Sequence, residues 1–220
     1  MKSEGEPPIL EEKKGRIAMK YNGSMQLVGM TLSTMIRRRI PQKNVRKQIL
    51  QEYRRILETA GDIGSRNRLL SSYLLAAFFI AMNRKDGLTP EENIAVLETS
   101  MRKSRALKLF MGDSRRYFSE KNMESRRQWS RQTKDPAHRK AYPNDWVVEV
   151  LEQTEDYRFG FDYRECGALK LCRDQGCPEL AGYLCRLDYM LTEIMGVKLL
   201  RTQVLAEGGD CCDFRFLKSE

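Results

Sequence analysis

Apolar positions recur every three to four residues over most of the first 140 residues and every second residue near the end. The chain therefore reads as helices followed by a small sheet. The spacing predicts a helix capped by Ser24 and running to Ile40, stopped ahead of Pro41. A second runs from about Gln42 to Ala60, carrying Val45, Ile49, Glu52/Tyr53, Ile56 and Leu57 on one stripe, and Gly61 closes it. After a turn at Gly61-Asp62-Ile63-Gly64, a third helix from Arg66 to Asn83 is apolar almost all round, as the centre of a bundle is. Thr89-Pro90-Glu91-Glu92 combines a capping box with proline at the first helical position and opens a fourth, to about Met111. A fifth, basic helix is expected after Asp113, fading near Asp135-Pro136.

Beyond Tyr142-Pro143-Asn144-Asp145 the period changes. Residues 146–151 and 159–163 are rich in β-formers and read as two strands joined by a polar turn. A short helix over Cys166 to Asp174 and a longer one from Glu179 to Met195, ended by Gly196, come next. Val197 to Leu205 and Cys211 to Leu217 complete the set as strands around a turn at Gly208-Gly209-Asp210. The expected fold class is α+β: an N-terminal helical bundle packed with a C-terminal antiparallel four-stranded sheet of ββ-α-α-ββ order. The expected organisation is a flexible tail over 1–22, a helical region over 23–140 and an α+β domain over 141–220.

Charge sharpens that division. Residues 1–140 hold 30 Lys+Arg against 15 Asp+Glu, and residues 141–220 hold 9 against 15. The net +9 raises nucleic acid as a partner, but the basic residues are spread over several helices and no zinc-finger, RNP or basic-zipper pattern accompanies them. Solvated helix faces are the favoured explanation, and a homo-oligomer is left open. The first 21 residues are charged throughout, with no apolar signal core, and the most apolar stretch, Leu69 to Met82, is too short to span a bilayer. The expected location is the cytoplasm, where cysteines remain reduced and serve as core residues, ligands or reactive thiols.

All six cysteines fall between Cys166 and Cys212. No CxxC pair exists, Cys172 and Cys177 are loosely spaced, and no Walker loop or dinucleotide fingerprint is present, so neither metal nor cofactor is expected. The single histidine, His138, reads as part of a basic surface loop beside Lys134, Arg139 and Lys140, an unpromising catalytic base. Cys185 and Asp188, at i and i+3, share a helix face. A carboxylate on the sheet-facing side of a helix needs a cation or a pocket, and Arg201 on the next strand is the natural partner, either for Asp188 or for a substrate carboxylate. Alternation along the last strand puts Cys212, Phe214 and Phe216 on the core side and Cys211, Asp213 and Arg215 on the other.

Taken in order, Tyr163-x2-Cys166, Pro178-Glu179-Leu180-x4-Cys185-x2-Asp188, Arg201-Thr202 and Gly208-Gly209-Asp210-x-Cys212-Asp213-Phe214 resemble the L-2-amino-thiazoline-4-carboxylic acid hydrolase family. The likeness extends upstream through Tyr142-Pro143-Asn144-Asp145-Trp146 and, more loosely, to about residue 60. It implies a small-molecule substrate and hydrolytic opening of a 2-amino-thiazoline ring to an N-carbamoyl amino acid. That chemistry needs a carboxylate for the amidine, a cation for the substrate carboxylate and a nucleophile or base. By that logic Asp188, with Cys185, Cys166 or Cys212 as thiol, would be catalytic, and Arg201, Tyr163 and Asp213 would bind substrate. A more distant similarity to vinyl-reductase-type small-molecule-binding domains implies the alternative, a non-catalytic sensor.

Overall fold

In the computed structural model, which describes residues 18–64, 66–111 and 117–217, the helices come first and the sheet last. Helix α1 (Gly23–Met35) is capped by Asn22, whose side chain accepts from the Met25 amide at 3.1 Å. The cap expected at Ser24 thus sits two residues earlier, on an equally good acceptor. A 3₁₀ turn, Ile36–Arg38, ends this element before Pro41. Most of the tail expected over residues 1–22 lies outside the described residues, but its end is docked: the Met19 amide donates to Ala60 O at 2.9 Å and the Met19 side chain is buried.

Helix α2 (Lys43–Thr59) buries Ile49, Tyr53, Ile56 and Leu57. Helix α3 (Leu70–Lys85) starts four residues later than Arg66 because Asn67 turns its side chain onto the Leu69 amide and holds a turn there. From Ala76 to Met82 every residue of α3 is buried, which makes it the central helix. Helix α4 (Pro90–Lys103) carries the capping box in full. It breaks at Ser104, in extended backbone, and α5 (Arg105–Met111) restarts at once, so the single helix expected to Met111 is two. The start of the fifth expected helix, near Asp113, lies outside the described residues. Its later part is α6 (Glu120–Lys134), and a separate short helix, α7 (Pro136–Ala141), begins directly after it under an Asp135 cap.

Strands β1 (Val147–Leu151), β2 (Tyr157–Glu165), β3 (Leu199–Leu200) and β4 (Cys212–Leu217) form one antiparallel sheet in the order β1-β2-β4-β3. Helices α8 (Gly167–Asp174) and α9 (Leu180–Ile194) connect β2 to β3, so the α+β class and the ββ-α-α-ββ order both hold. The third strand is two residues long, where nine were expected. Beyond Leu200 the amides of Thr202 and Gln203 turn to the Asp213 carboxylate, at 2.9 and 2.8 Å, and leave the ladder.

One face of the sheet is aromatic and the other ionic, the division typical of a half-solvated antiparallel sheet. Phe159, Phe161 and Tyr163 alternate along β2 beside Phe214 and Phe216 of β4, with Phe159 stacked on Phe216 at 4.6 Å. On the opposite face Asp162 pairs with Arg164 at 3.1 Å and Arg215 at 2.8 Å. Helix α6 lies along β1: Ser130 Oγ donates to Val148 O at 2.9 Å, and Thr133 Oγ1 accepts from the Val148 amide at 3.3 Å. One continuous apolar core runs from α1–α4 into α8 and α9, crossing residue 140. Among the described residues no helix is long and apolar enough to cross a membrane.

Candidate active site

Where the aromatic face of the sheet meets α3, α8 and α9, packing leaves a cavity of about 130 Å³. Tyr163 reaches it from β2, Cys166 from the residue before α8, Cys185 and Asp188 from α9, and Cys212 and Phe214 from β4. Five of the seven residues singled out in the sequence therefore meet at one place, although up to 49 positions separate them. The remaining wall is mainly leucine and alanine, with Trp146 and the hydroxyl-bearing Ser72.

Arg201 and Asp213 stand behind the wall. Arg201 Nη1 bonds Asp188 Oδ2 at 2.8 Å and Nη2 bonds Cys185 O at 2.9 Å, while the guanidinium lies against the rings of Tyr189 and Phe214. Its side chain is only 6% exposed, and both terminal nitrogens bond to residues of α9. Asp213 accepts from Thr202 Oγ1 at 2.6 Å and from the amides of Thr202 and Gln203, fixing the segment that carries Arg201. Burial works against the Asp213 carboxylate, but these donors more than offset it and hold it below the usual carboxylate range.

The Asp188 carboxylate is enclosed by protein yet its side chain retains 36% exposure, because it opens onto the cavity. Burial pushes it up to about 6, against the pull of Arg201. The three cavity thiols move the same way. Cys185 is raised well beyond the ordinary thiol range by burial and then by the neighbouring Asp188 charge. Cys212 is pushed up to about 11, mainly by burial, and its sulfur accepts from the Leu205 amide at 3.3 Å. Cys166 is raised by burial too, but the amide N–H groups of Leu169 and Ala168 at the start of α8 oppose that rise, as does the Trp146 indole. At neutral pH the site thus offers one carboxylate and three protonated thiols. Cys172 and Cys177 sit at the far end of α8, outside the cavity.

Trp146 is held against the cavity by a close approach. A Cβ on Gly167, the first residue of α8, would lie 2.6 Å from the Trp146 ring and 2.8 Å from Asn144 O. Since backbone cannot yield there, Gly167→Ala is expected to cost about 1–3 kcal/mol and to displace the indole, read as a lowered Tm and a shifted tryptophan emission.

His138 is not the loop residue its basic neighbours suggest. Pro136 and the Asp135 cap make its segment helical, its side chain is 13% exposed, and Nε2 meets Asp145 Oδ2 at 2.8 Å. Sequence spacing carries no signal for this pair, because the turn at Pro143 is what folds Asp145 back onto α7.

The site thus belongs to an α+β protein in which a helix-covered antiparallel sheet encloses one acid and three thiols. A family model described as L-2-amino-thiazoline-4-carboxylic acid hydrolase matches residues 67–216, and the chain belongs to that family. No curated protein and no solved structure matches the chain.

Proposed function

We propose that the chain hydrolyses a small cyclic amidine of the 2-amino-thiazoline-4-carboxylate type in the cavity beneath α9. One observation carries this: Asp188 is the only charged side chain among the described residues lining it. A cationic amidinium entering an apolar hollow must find an anion, and a carboxylate held by Arg201 offers two acceptor oxygens for the two N–H groups of an amidine. Pairing also keeps the amidine protonated, and so keeps its central carbon electrophilic. Arg201 then acts as a positioning residue for Asp188, since it stands behind the cavity wall with its two terminal nitrogens bonded to Asp188 and the Cys185 carbonyl.

We assign attack to Cys166, the one cavity thiol at the start of a helix, where amide N–H groups favour a sulfur anion. Its sulfur bonds to the amidine carbon, the ring C–S bond breaks, and the thiol proton ends on the departing ring sulfur. Water then adds to the same carbon and releases a urea-type product and the Cys166 thiol. The net change is the addition of one water and the opening of one ring.

Incubation with 2-amino-thiazoline-4-carboxylate, followed by mass spectrometry of the small-molecule fraction, is expected to show the N-carbamoyl thiol accumulating over many turnovers. Saturable binding without product would instead favour a sensor. Neither binding nor product with any cyclic amidine would remove the proposal.

A further inference from the structure

A second concavity lies on the other side of the Asp145–Trp146 segment. It has a volume of about 530 Å³, within the range of small-molecule sites. It lies among Ile63, Gly64, residues 66–68, α6 and α7, and its lining differs from that of the first: Arg66, Arg68, Gln128, Gln132, His138 and Tyr142 supply most of its polar groups. We infer that this cleft is a binding site for a small oxyanion, a carboxylate or phosphate group, held by Arg66 and Arg68 and read by the His138–Asp145 pair.

The charge balance of the lining favours an anion. Its one acid is Asp145, 3% exposed, and both oxygens are engaged. Oδ1 accepts from Asn67 Nδ2 at 2.6 Å and from the Trp146 amide at 2.7 Å, and Oδ2 faces His138 Nε2 at 2.8 Å. Among the described residues no other carboxylate lines the cleft, whereas two guanidinium groups remain on the rim. Arg68 spends one nitrogen on Ser125 Oγ at 2.6 Å, and both arginines are exposed. Their planar forks suit carboxylate and phosphate oxygens.

His138 lines the cleft, so a ligand held there borders the ring, whose orientation Asp145 fixes. Its other ring nitrogen lies a long 3.5 Å from Gln132 Nε2. The wall also includes the ring of Trp129. None of this depends on the reaction proposed for the first cavity.

His138 is the only histidine of the chain, so its imidazole proton signals report on the cleft without assignment. The folded protein is titrated with inorganic phosphate and, separately, with malonate, at constant ionic strength and pH, with sodium chloride as control. The expected result is a saturable shift of the imidazole signal with at least one of the two oxyanions, and none with chloride. Arg66→Ala combined with Arg68→Ala should weaken that binding at least tenfold, while Asp188→Asn leaves it unchanged. Saturation by phosphate alone or by malonate alone supports the site and assigns its class. No saturable shift with either, an equal response to chloride, or full binding in the double-alanine protein would overturn the inference.

Discussion

Asp188→Asn is expected to lower kcat/KM for a cyclic amidine by about 10²-fold or more at pH 7, the scale on which a charged acid–base group contributes. Shape is conserved in this variant, and the amide oxygen still accepts from Arg201; only the charge that retains an amidinium is lost. The pH profile makes the test specific. Burial sets the Asp188 carboxyl at about 6, so wild-type activity should climb as pH rises through that value, the carboxylate being the working form. The Asn variant should lack that limb altogether. Stability moves the opposite way. Because the native value exceeds that of an unfolded carboxyl, ionised Asp188 detracts from stability above about pH 6, and the penalty fades as pH falls toward 4. Removing its charge therefore should not unfold the protein at neutral pH, and thermal melts will show whether it does. An Asn variant with full activity would exclude Asp188 from the chemistry.

Arg201→Met is expected to have the second large effect, on both stability and pH dependence. The guanidinium is almost wholly covered, and its loss leaves the Asp188 carboxylate without its cation and takes one donor from the Cys185 carbonyl. Breaking a buried pair from one side costs about 3–5 kcal/mol; with Asp188 open to the cavity, about 2–4 kcal/mol is the better figure. A merely structural role would stop there. A positioning role predicts more: without the neighbouring cation, the acid limb of the activity profile should move up by about one pH unit or more. Arg201→Lys should recover part of both effects, because it restores charge without the second donor. An unmoved limb in the Met variant would reduce Arg201 to scaffolding.

How much of this is legible in the sequence differs by element. The pairing of Cys185 with Asp188 follows from helical spacing, and the arrival of Cys212 and Phe214 on the same cavity follows from strand alternation. Those are local periodicities, and local periodicity survives folding. The placement of Arg201 is half legible: a cation near Asp188 is expected, but not that Asp213 would draw Thr202 and Gln203 out of the ladder and leave β3 two residues long. That outcome depends on a side chain eleven positions away from Thr202 competing with a backbone partner, which no pattern encodes. His138 is misleading for a related reason. Its charged neighbours speak for a surface loop, whereas a proline-started turn of helix and the fold-back at Asn144-Asp145 enclose the ring. The break of the fourth helix at Ser104 likewise has no proline or glycine to announce it.

The way α6 lies on β1 has a consequence for how the molecule behaves in company. A sheet this small is ordinarily a template at both margins, with bare amides and carbonyls inviting another chain to align beside them. Here hydroxyls from Ser130 and Thr133 already occupy Val148 on one margin, and the opposite margin offers only Leu199 and Leu200. Strand-by-strand growth into larger assemblies therefore has little on which to begin at either side.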